Sequence, residues 1–533
     1  MSQPVPEWVS FDAVKTTGLD LLGLRAPVQQ ISNELFNGVT TITPKLRYLS
    51  IISWILWRYS QARLPDKKSS FMEFAAAQEA VIVMANRLHS STTTNLVGVE
   101  GADTLLAENK NRVPLKKLAQ NIAFNAYISS TRQLHLTRQT DSGFNGLVNE
   151  RGVPLAKEFD KIIQQSSYGP RLAKKPRLDA ILRSDLQELS EDVSLAAIPP
   201  GERTILIDAL MPSEPIDIPE RNRLANYAFL LWLSAAKQAL VTEEDVFEAG
   251  QVIPDGLPGC LSQVADGWLE YVIRDLLAVT HEAVFGAVMR RVDIMSADRQ
   301  SPAISADVLA ALVAEPAEKD EVLRELRILK PGESISTASF RTVRDRVQRL
   351  CRKQDKVANG LRRWNGGLSE TVLYDLALES HDAAIALLPV AWCLAVERVV
   401  AVPEPTPFQR KLLARGGIYQ IGLSSVVLPK VDEFIQLDRS LSEVMVELTR
   451  RTVQQHLRVA WSRFSAPNGK DVSVLVADVE TWSRNNPFRA GRTDPRLRVA
   501  LNWLQQLLLT DESGLTKKGA QILKRCLTVL GKP

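Results

Sequence analysis

Arg496-Leu497-Arg498-Val499-Ala500-Leu501-Asn502-Trp503-Leu504-Gln505-Gln506-Leu507 runs into Leu508-Leu509-Thr510-Asp511, the turn residues Glu512-Ser513-Gly514, then Leu515-Thr516 and the stretch from Lys517 to Leu530. Apolar residues recur at helical spacing in the first and last of these segments, while the middle is short and interrupted by Gly514. The predicted order is helix, short strand, turn, strand and closing helix, which is how a winged-helix domain ends. Thr516 is placed to cap the closing helix. Thr493 or Asp494, with Pro495 in the first turn, is placed to start the preceding one.

The same region carries the charge of the molecule. Residues 484–533 hold ten Lys or Arg against three Asp or Glu, a surplus of seven in a chain whose formal total is +4, so the other 483 residues stand at −3. Arg484, Arg489 and Arg492 share a Pro- and Gly-containing segment with Asn485 and Asn486, a composition suited to draping over phosphates. Arg496 and Arg498 fall at the N-terminal end of the expected recognition helix, and Lys517 and Lys518 beside the expected wing. The competing reading of this module is a winged helix that docks protein instead of DNA.

A second basic segment spans residues 340–364. Phe340, Val343, Val347, Leu350, Val357 and Leu361 fall at three- and four-residue steps and predict one amphipathic helix whose exterior carries Arg341, Arg344, Arg352 and Lys353. Such a face can lie along a phosphate backbone, with counterion release making affinity fall with salt; the alternative is a solvated face paired with acidic neighbours. A third cluster, Arg171-Leu172-Ala173-Lys174-Lys175-Pro176-Arg177, reads as an exposed loop.

Working outward, helical periodicity dominates, with helices expected over 46–62, 70–88 and 223–240. The fold class is mainly α, a multi-domain helical protein with a C-terminal winged-helix-like module at about residues 470–533. Dense breakers at 166–176 and 402–408 divide the chain into an N-terminal helical domain at 1–165, a middle helical region at 166–402 and a C-terminal region at 403–533. The 533 residues, 45% hydrophobic and 24% charged, have the composition of globular domains. Cys260, Cys351, Cys393 and Cys526 lie far apart, which excludes a CxxC zinc site and argues for a reducing, cytoplasmic setting. Residues 1–10 lack the pattern of a secretory signal, and the apolar stretches 49–57 and 225–236 are shorter than the roughly 20 residues a bilayer needs, so no membrane is expected.

No Walker loop, strand-associated GxGxxG, HExxH or GxSxG is present. His89, His135, His281, His381 and His456 are scattered, and the adjacent pairs His281-Glu282 and His381-Asp382 would point about 100° apart on a helix. Asp478-Val479-Glu480 would project two acids to one side of a strand, as in part of a metal-dependent nuclease centre, although a helix fits the segment equally well. Trp268, Val272, Asp275, Val279 and Glu282 share one helical face, whose acids would need partners such as Arg274 or Arg290-Arg291. No catalytic residue, cofactor or metal is expected.

Gly18-Leu19-Asp20-Leu21-Leu22-Gly23-Leu24-Arg25, Leu35-Phe36-Asn37-Gly38-Val39-Thr40-Thr41-Ile42-Thr43 and Arg47-Tyr48-Leu49-Ser50 with Trp54 resemble the start of large helical proteins of bacterial antiphage defence islands. There a Leu-Pro-Gly or Phe-Pro-Gly turn precedes Thr-x-x-Thr and an Arg-Tyr helix; here Asn37 stands in place of the Pro. Physically, Gly38 permits the turn, Thr41 or Thr43 would cap the helix, Pro44 suits its first position, and Arg25 and Arg47 would reach a carboxylate or phosphate. The resemblance implies a subunit of a multi-protein antiviral system in which an ATPase, helicase or nuclease supplies the chemistry. The expected function is thus a non-enzymatic subunit that contacts double-stranded DNA and protein partners. The alternatives are a kleisin-like bridging subunit of an SMC-type complex and a divergent metal-dependent nuclease effector.

Overall fold

A computed structural model describes residues 20–40, 44–62, 64–65, 67–90, 93, 95–140, 145–251, 253–299, 301–356, 362–364, 368–400, 421–465, 472–486, 488–493 and 495–531. The protein is mainly helical, about 65% helix. In chain order the helices begin with α1 Arg25–Leu35, α2 Tyr48–Gln61, α3 Lys68–His89, α4 Val99–Ala107, α5 Ala123–Gln133, α6 Gly152–Gln165 and α7 Tyr168–Lys174. They continue with α8 Arg183–Leu189, α9 Pro200–Leu210, α10 Ile218–Lys237, α11 Glu243–Gln251, α12 Ser262–Arg299, α13 Ser305–Ala314 and α14 Pro316–Glu325. The last are α15 Phe340–Leu350, α16 Glu370–Glu379, α17 His381–Val400, α18 Leu428–Gln436, α19 Leu441–Phe464, α20 Leu497–Gln506 and α21 Lys517–Leu530. Strands are short: β1 Arg112–Pro114, β2 Thr137–Gln139, β3 Asn145–Leu147, β4 Ala180–Leu182, β5 Ala303–Ile304, β6 Gln354–Lys356, β7 Arg362–Trp364, β8 Leu475–Ala477, β9 Thr481–Arg484, β10 Thr510–Asp511 and β11 Gly514–Leu515.

The chain forms two compact units, each discontinuous in sequence. Met1–Ile31, Asp266–Lys356 and Arg362–Thr493 make the first; Ser32–Ala265, Val357–Leu361 and Asp494–Pro533 make the second. This division differs from one at residues 165 and 402, and the expected module at 470–533 falls partly in each unit.

In the second unit α2 packs on α5 and α6, with the Trp54 and Phe159 rings 5.5 Å apart. Polar groups that folding buries here are paired. Arg47, 1% exposed, ion-pairs with Glu202 at 2.7 Å and donates to the Ser194 carbonyl. Arg223 donates to the carbonyls of Asn37, Gln133, Ala209 and Leu210. Gly38 has φ +88°, and a Cβ there would sit 2.9 Å from Leu134, so the turn requires glycine. Thr41 and Thr43 lie outside the described residues. Pro44 precedes α2 by four residues instead of opening it; its carbonyl accepts from Trp503 Nε1 and Gln506 Nε2, tying α20 to this turn.

The expected helix–strand–turn–strand–helix order is present in α20, β10, β11 and α21, with Thr516 capping α21 through a 3.0 Å bond from the Gly519 N–H. Arg496 at φ +61°, not Thr493, precedes the first residue of α20, and Pro495 stands before the helix; Asp494 lies outside the described residues. The β10–β11 hairpin and α21 lie against α10. Gly514, φ +95°, would place a Cβ 2.7 Å from the Ser234 carbonyl. The expected loop at 171–177 is largely the helix α7, because Tyr168 and Leu172 are buried and Arg171 pairs with Asp185.

In the first unit α17 is the central helix, contacted by α14, α15, α16 and α19. It is long and apolar enough to cross a membrane but is 89% buried inside the protein. Its polar end is satisfied: Arg398 pairs with Glu370 at 3.0 Å, and Glu397 receives Arg344 and Arg352. Residues 340–364 are not one helix. The chain leaves helix after Leu350 and makes the antiparallel hairpin β6–β7; the sequence between these strands contains Asn359-Gly360, a dipeptide that favours tight hairpins. Residues 472–484 likewise form the hairpin β8–β9, and β5 adds to it in the order β5-β9-β8. The starts of α15 and α19 are joined by main-chain bonds, Phe340 N–H to Arg439 carbonyl at 2.8 Å and Leu441 N–H to Ala338 carbonyl at 2.9 Å.

Candidate nucleic-acid interface

Helix α15 sorts its arginines by face. Phe340, Val343, Val347 and Leu350 are buried, and Arg346 points inward with them, donating to the Ile328 carbonyl at 2.8 Å and pairing with Glu333. That guanidinium holds the Glu333 carboxyl down at about 2. Arg344 reaches the buried Glu397 at 3.2 Å, and Arg352, from just beyond the helix, reaches it at 3.5 Å. Two of the four sequence-predicted cations here therefore neutralise a core carboxylate. Arg341, Arg349 and Lys353 remain exposed with Arg352 on the outer face, accompanied by Asp345. Arg341 also donates to the Ile435 carbonyl at 2.9 Å.

The segment expected to drape over phosphate is clamped to its own unit. Arg484 pairs with Asp293 of α12, and the Gly491 carbonyl accepts from Arg25 at 2.7 Å. Phe488 packs on Phe285, and the Thr493 N–H donates to Asp275. Arg492 lies 4.2 Å above the Tyr374 ring and 3.8 Å from Asp275. Burial lifts the Asp275 carboxyl to about 6, with Arg492 opposing the shift. The acids on the α12 face thus find partners in Arg492 and Arg25, while Arg274 pairs with Glu270 and is not the partner its position suggests. Arg489 alone of the three predicted loop arginines projects to solvent without a described ion pair. It lines a groove of about 940 Å³ with Arg290, Arg291 and Arg484, opposed by Asp293, Glu318, Glu379 and Asp382. Four arginines against four carboxylates leave this groove without a net preference for anions.

In the second unit Arg498 is 84% exposed and lies 3.2 Å from Glu243, while Lys517 and Lys518 are exposed at the start of α21. Arg496 is part-exposed at the foot of α20. Strand β11 packs on α10, while the tip of the predicted wing, Asp511-Glu512-Ser513, is exposed and acidic.

The residues whose chemistry suits a reaction have structural surroundings. Asp478 and Glu480 sit in the exposed β8–β9 turn, and Asp478 accepts its neighbour's N–H. No cluster of three metal-ligating side chains occurs among the described residues. Trp392 Nε1 can only donate, so it assigns His281 Nε2 as acceptor at 3.0 Å; His281 Nδ1 then carries the proton and donates to Thr452 Oγ1 at 2.7 Å. Burial lowers that imidazole to about 3 and keeps it neutral. Glu282 instead turns to Arg25.

Comparisons with protein-family models, with curated proteins and with solved structures find no match. One set of candidate residues escaped the sequence reading: Arg450, Arg451, Gln454, Arg458 and Trp461 on α19. Their three- and four-residue spacing is visible in the sequence, as are four arginines from Arg450 to Arg463 with no Asp or Glu among them.

Proposed function

We propose that this chain is a non-enzymatic, DNA-contacting and partner-binding subunit of a bacterial multi-protein antiphage defence system, in which an ATPase, helicase or nuclease subunit supplies the chemistry. The observation that carries the DNA contact is the division of labour on α15. Its inward arginine pairs with the part-exposed Glu333 and two further cations neutralise the buried Glu397, so Arg341, Arg349 and Lys353 are surplus to the ion pairing of the fold and share an outer face with one acid. Cations in that position gain by displacing counterions from a phosphate backbone. The defence context rests on the N-terminal residues 18–54 and their resemblance to proteins of such systems. The docked β10–β11 hairpin supports partner or intramolecular docking for the C-terminal elements over DNA reading.

The test is binding of a fluorescent 30-base-pair duplex across a salt series. The wild type is expected to show a linear fall of log affinity with log salt, at about 0.9 per phosphate neutralised. The R341A/R349A/K353A variant is expected to lose up to about three such contacts from the slope and at least tenfold in affinity at low salt. A wild-type protein with no salt-dependent duplex binding overturns the proposal.

A further inference from the structure

The first unit contains a chain order that its sequence conceals. Helix α12 is followed by strand β5, helix α13, helix α19 and the hairpin β8–β9, with residues 315–440 inserted between α13 and α19. The first strand pairs with the last and the last with the middle one, Ala303 opposite Trp482 and Val476 opposite Ser483. Helix α13 packs on α19, and β8 packs on α19 as well. Helix, strand, two packed helices and a hairpin whose outer strand order is first-third-second is the plan of a winged helix, in which the second packed helix reads DNA.

Helix α19 has the surface that role needs. Thr449, Thr452, Val453, His456, Val459 and Ala460 are buried, which fixes the opposite face to solvent. On that face Arg450, Gln454 and Arg458 are exposed at successive four-residue steps, with Arg451 half-buried beside them. Arg450 touches Glu447 at 2.9 Å on its own helix; Arg458 has no ion-pair partner among the described residues. Trp461 is 69% exposed and Phe464 59%, their ring centroids 6.2 Å apart. From Arg450 to Trp461 the helix rises roughly 16 Å, enough to cross a major groove of about 12 Å. Cations, an amide and an aromatic side chain in one exposed stripe are of no use to the core.

Resting on the reading that the protein binds DNA, we infer that α19 is its reading helix: Arg450, Gln454 and Arg458 enter the major groove of duplex DNA, and Trp461 with Phe464 packs along the sugar–phosphate edge. The hairpin tip, Asp478-Val479-Glu480, is acidic and exposed, so it stands away from phosphate and leaves the contact to the helix.

The full chain is titrated with duplex and single-stranded oligonucleotides of the same sequence and with vesicles containing anionic lipid, as wild type and as R450A/R458A, W461A and R341A/R349A/K353A. Unchanged thermal melts are expected, since these side chains are exposed. R450A/R458A and W461A are each expected to weaken duplex binding at least tenfold. A photoreactive residue in place of Gln454 is expected to crosslink to the duplex. If the wild type binds duplex with the expected salt dependence while R450A/R458A retains its affinity and position 454 does not crosslink, α19 is not the reading helix although DNA binding stands. Tighter binding of the single strand, or Trp461-dependent binding of vesicles in place of duplex, also overturns it. No duplex binding at all defeats both this inference and the reading beneath it.

Discussion

Glu79 is a carboxylate that folding has made hard to ionise. Both oxygens accept main-chain N–H groups, from Ala123 and Phe124 at 2.7 Å, yet burial outweighs these bonds and lifts its pKa to about 7. A folded-state pKa above the unfolded value contributes stability that is present below about 4.5 and is lost as pH rises through 7. The wild type minus E79Q difference in unfolding free energy is therefore expected to fall between pH 4 and pH 8, by on the order of 3 kcal/mol, in urea titrations. A difference that rises with pH would contradict the assignment. Glu79 and its neighbours looked in the sequence like an Ala-rich helix and nothing more, because the groups that decide its ionisation lie more than forty residues away. His281 teaches the same lesson. Its isolation from other candidate ligands made a structural role legible, whereas Trp392 and Thr452, which assign its tautomer, are 111 and 171 residues distant.

At the scale of elements, period and turn chemistry made several helices readable. Helices α2, α3 and α10 run within a few residues of the expected 46–62, 70–88 and 223–240. Ends were harder, since a cap is one residue: Pro44 suggested a helix start that Arg47 actually makes, and Arg496 opens α20 from a left-handed conformation that no propensity favours. Helix α19 starts with a full capping box, Ser440 accepting from the Glu443 N–H and Glu443 returning the bond. S440A is expected to cost about 1 kcal/mol, seen as a lowered thermal midpoint, while S440G recovers all but a few tenths. Equal losses in both variants would show that the Ser side chain matters for a reason other than capping. The hairpin β6–β7 shows how a pattern misleads. Apolar spacing continues past Leu350 as though the helix did, but Asn359-Gly360 supplies a turn signal that periodicity counting passes over.

The whole molecule is organised by contacts that cross the sequence. The basic end of the chain is not one module: residues up to Thr493 belong to the first unit and those from Asp494 to the second. Within the second unit Trp503, Leu504, Leu509 and Cys526 are buried, and α21 lies on α10. A fragment of residues 470–533 is thus expected to show little cooperative melting by circular dichroism, and a chain ending at residue 493 to melt well below the full chain. An isolated fragment that folds on its own would reverse this reading. What local pattern settled was the helical class, the positions of several helices, the lack of any catalytic motif and the concentration of positive charge, because each depends on neighbours within a few turns. Which arginines stay in solvent and which neutralise a core acid, where the chain divides into units, and that α13, α19 and a hairpin come together across 126 intervening residues were settled only in three dimensions. Burial and ion pairing are properties of groups brought together by the tertiary fold, and distance along the chain carries almost no information about them.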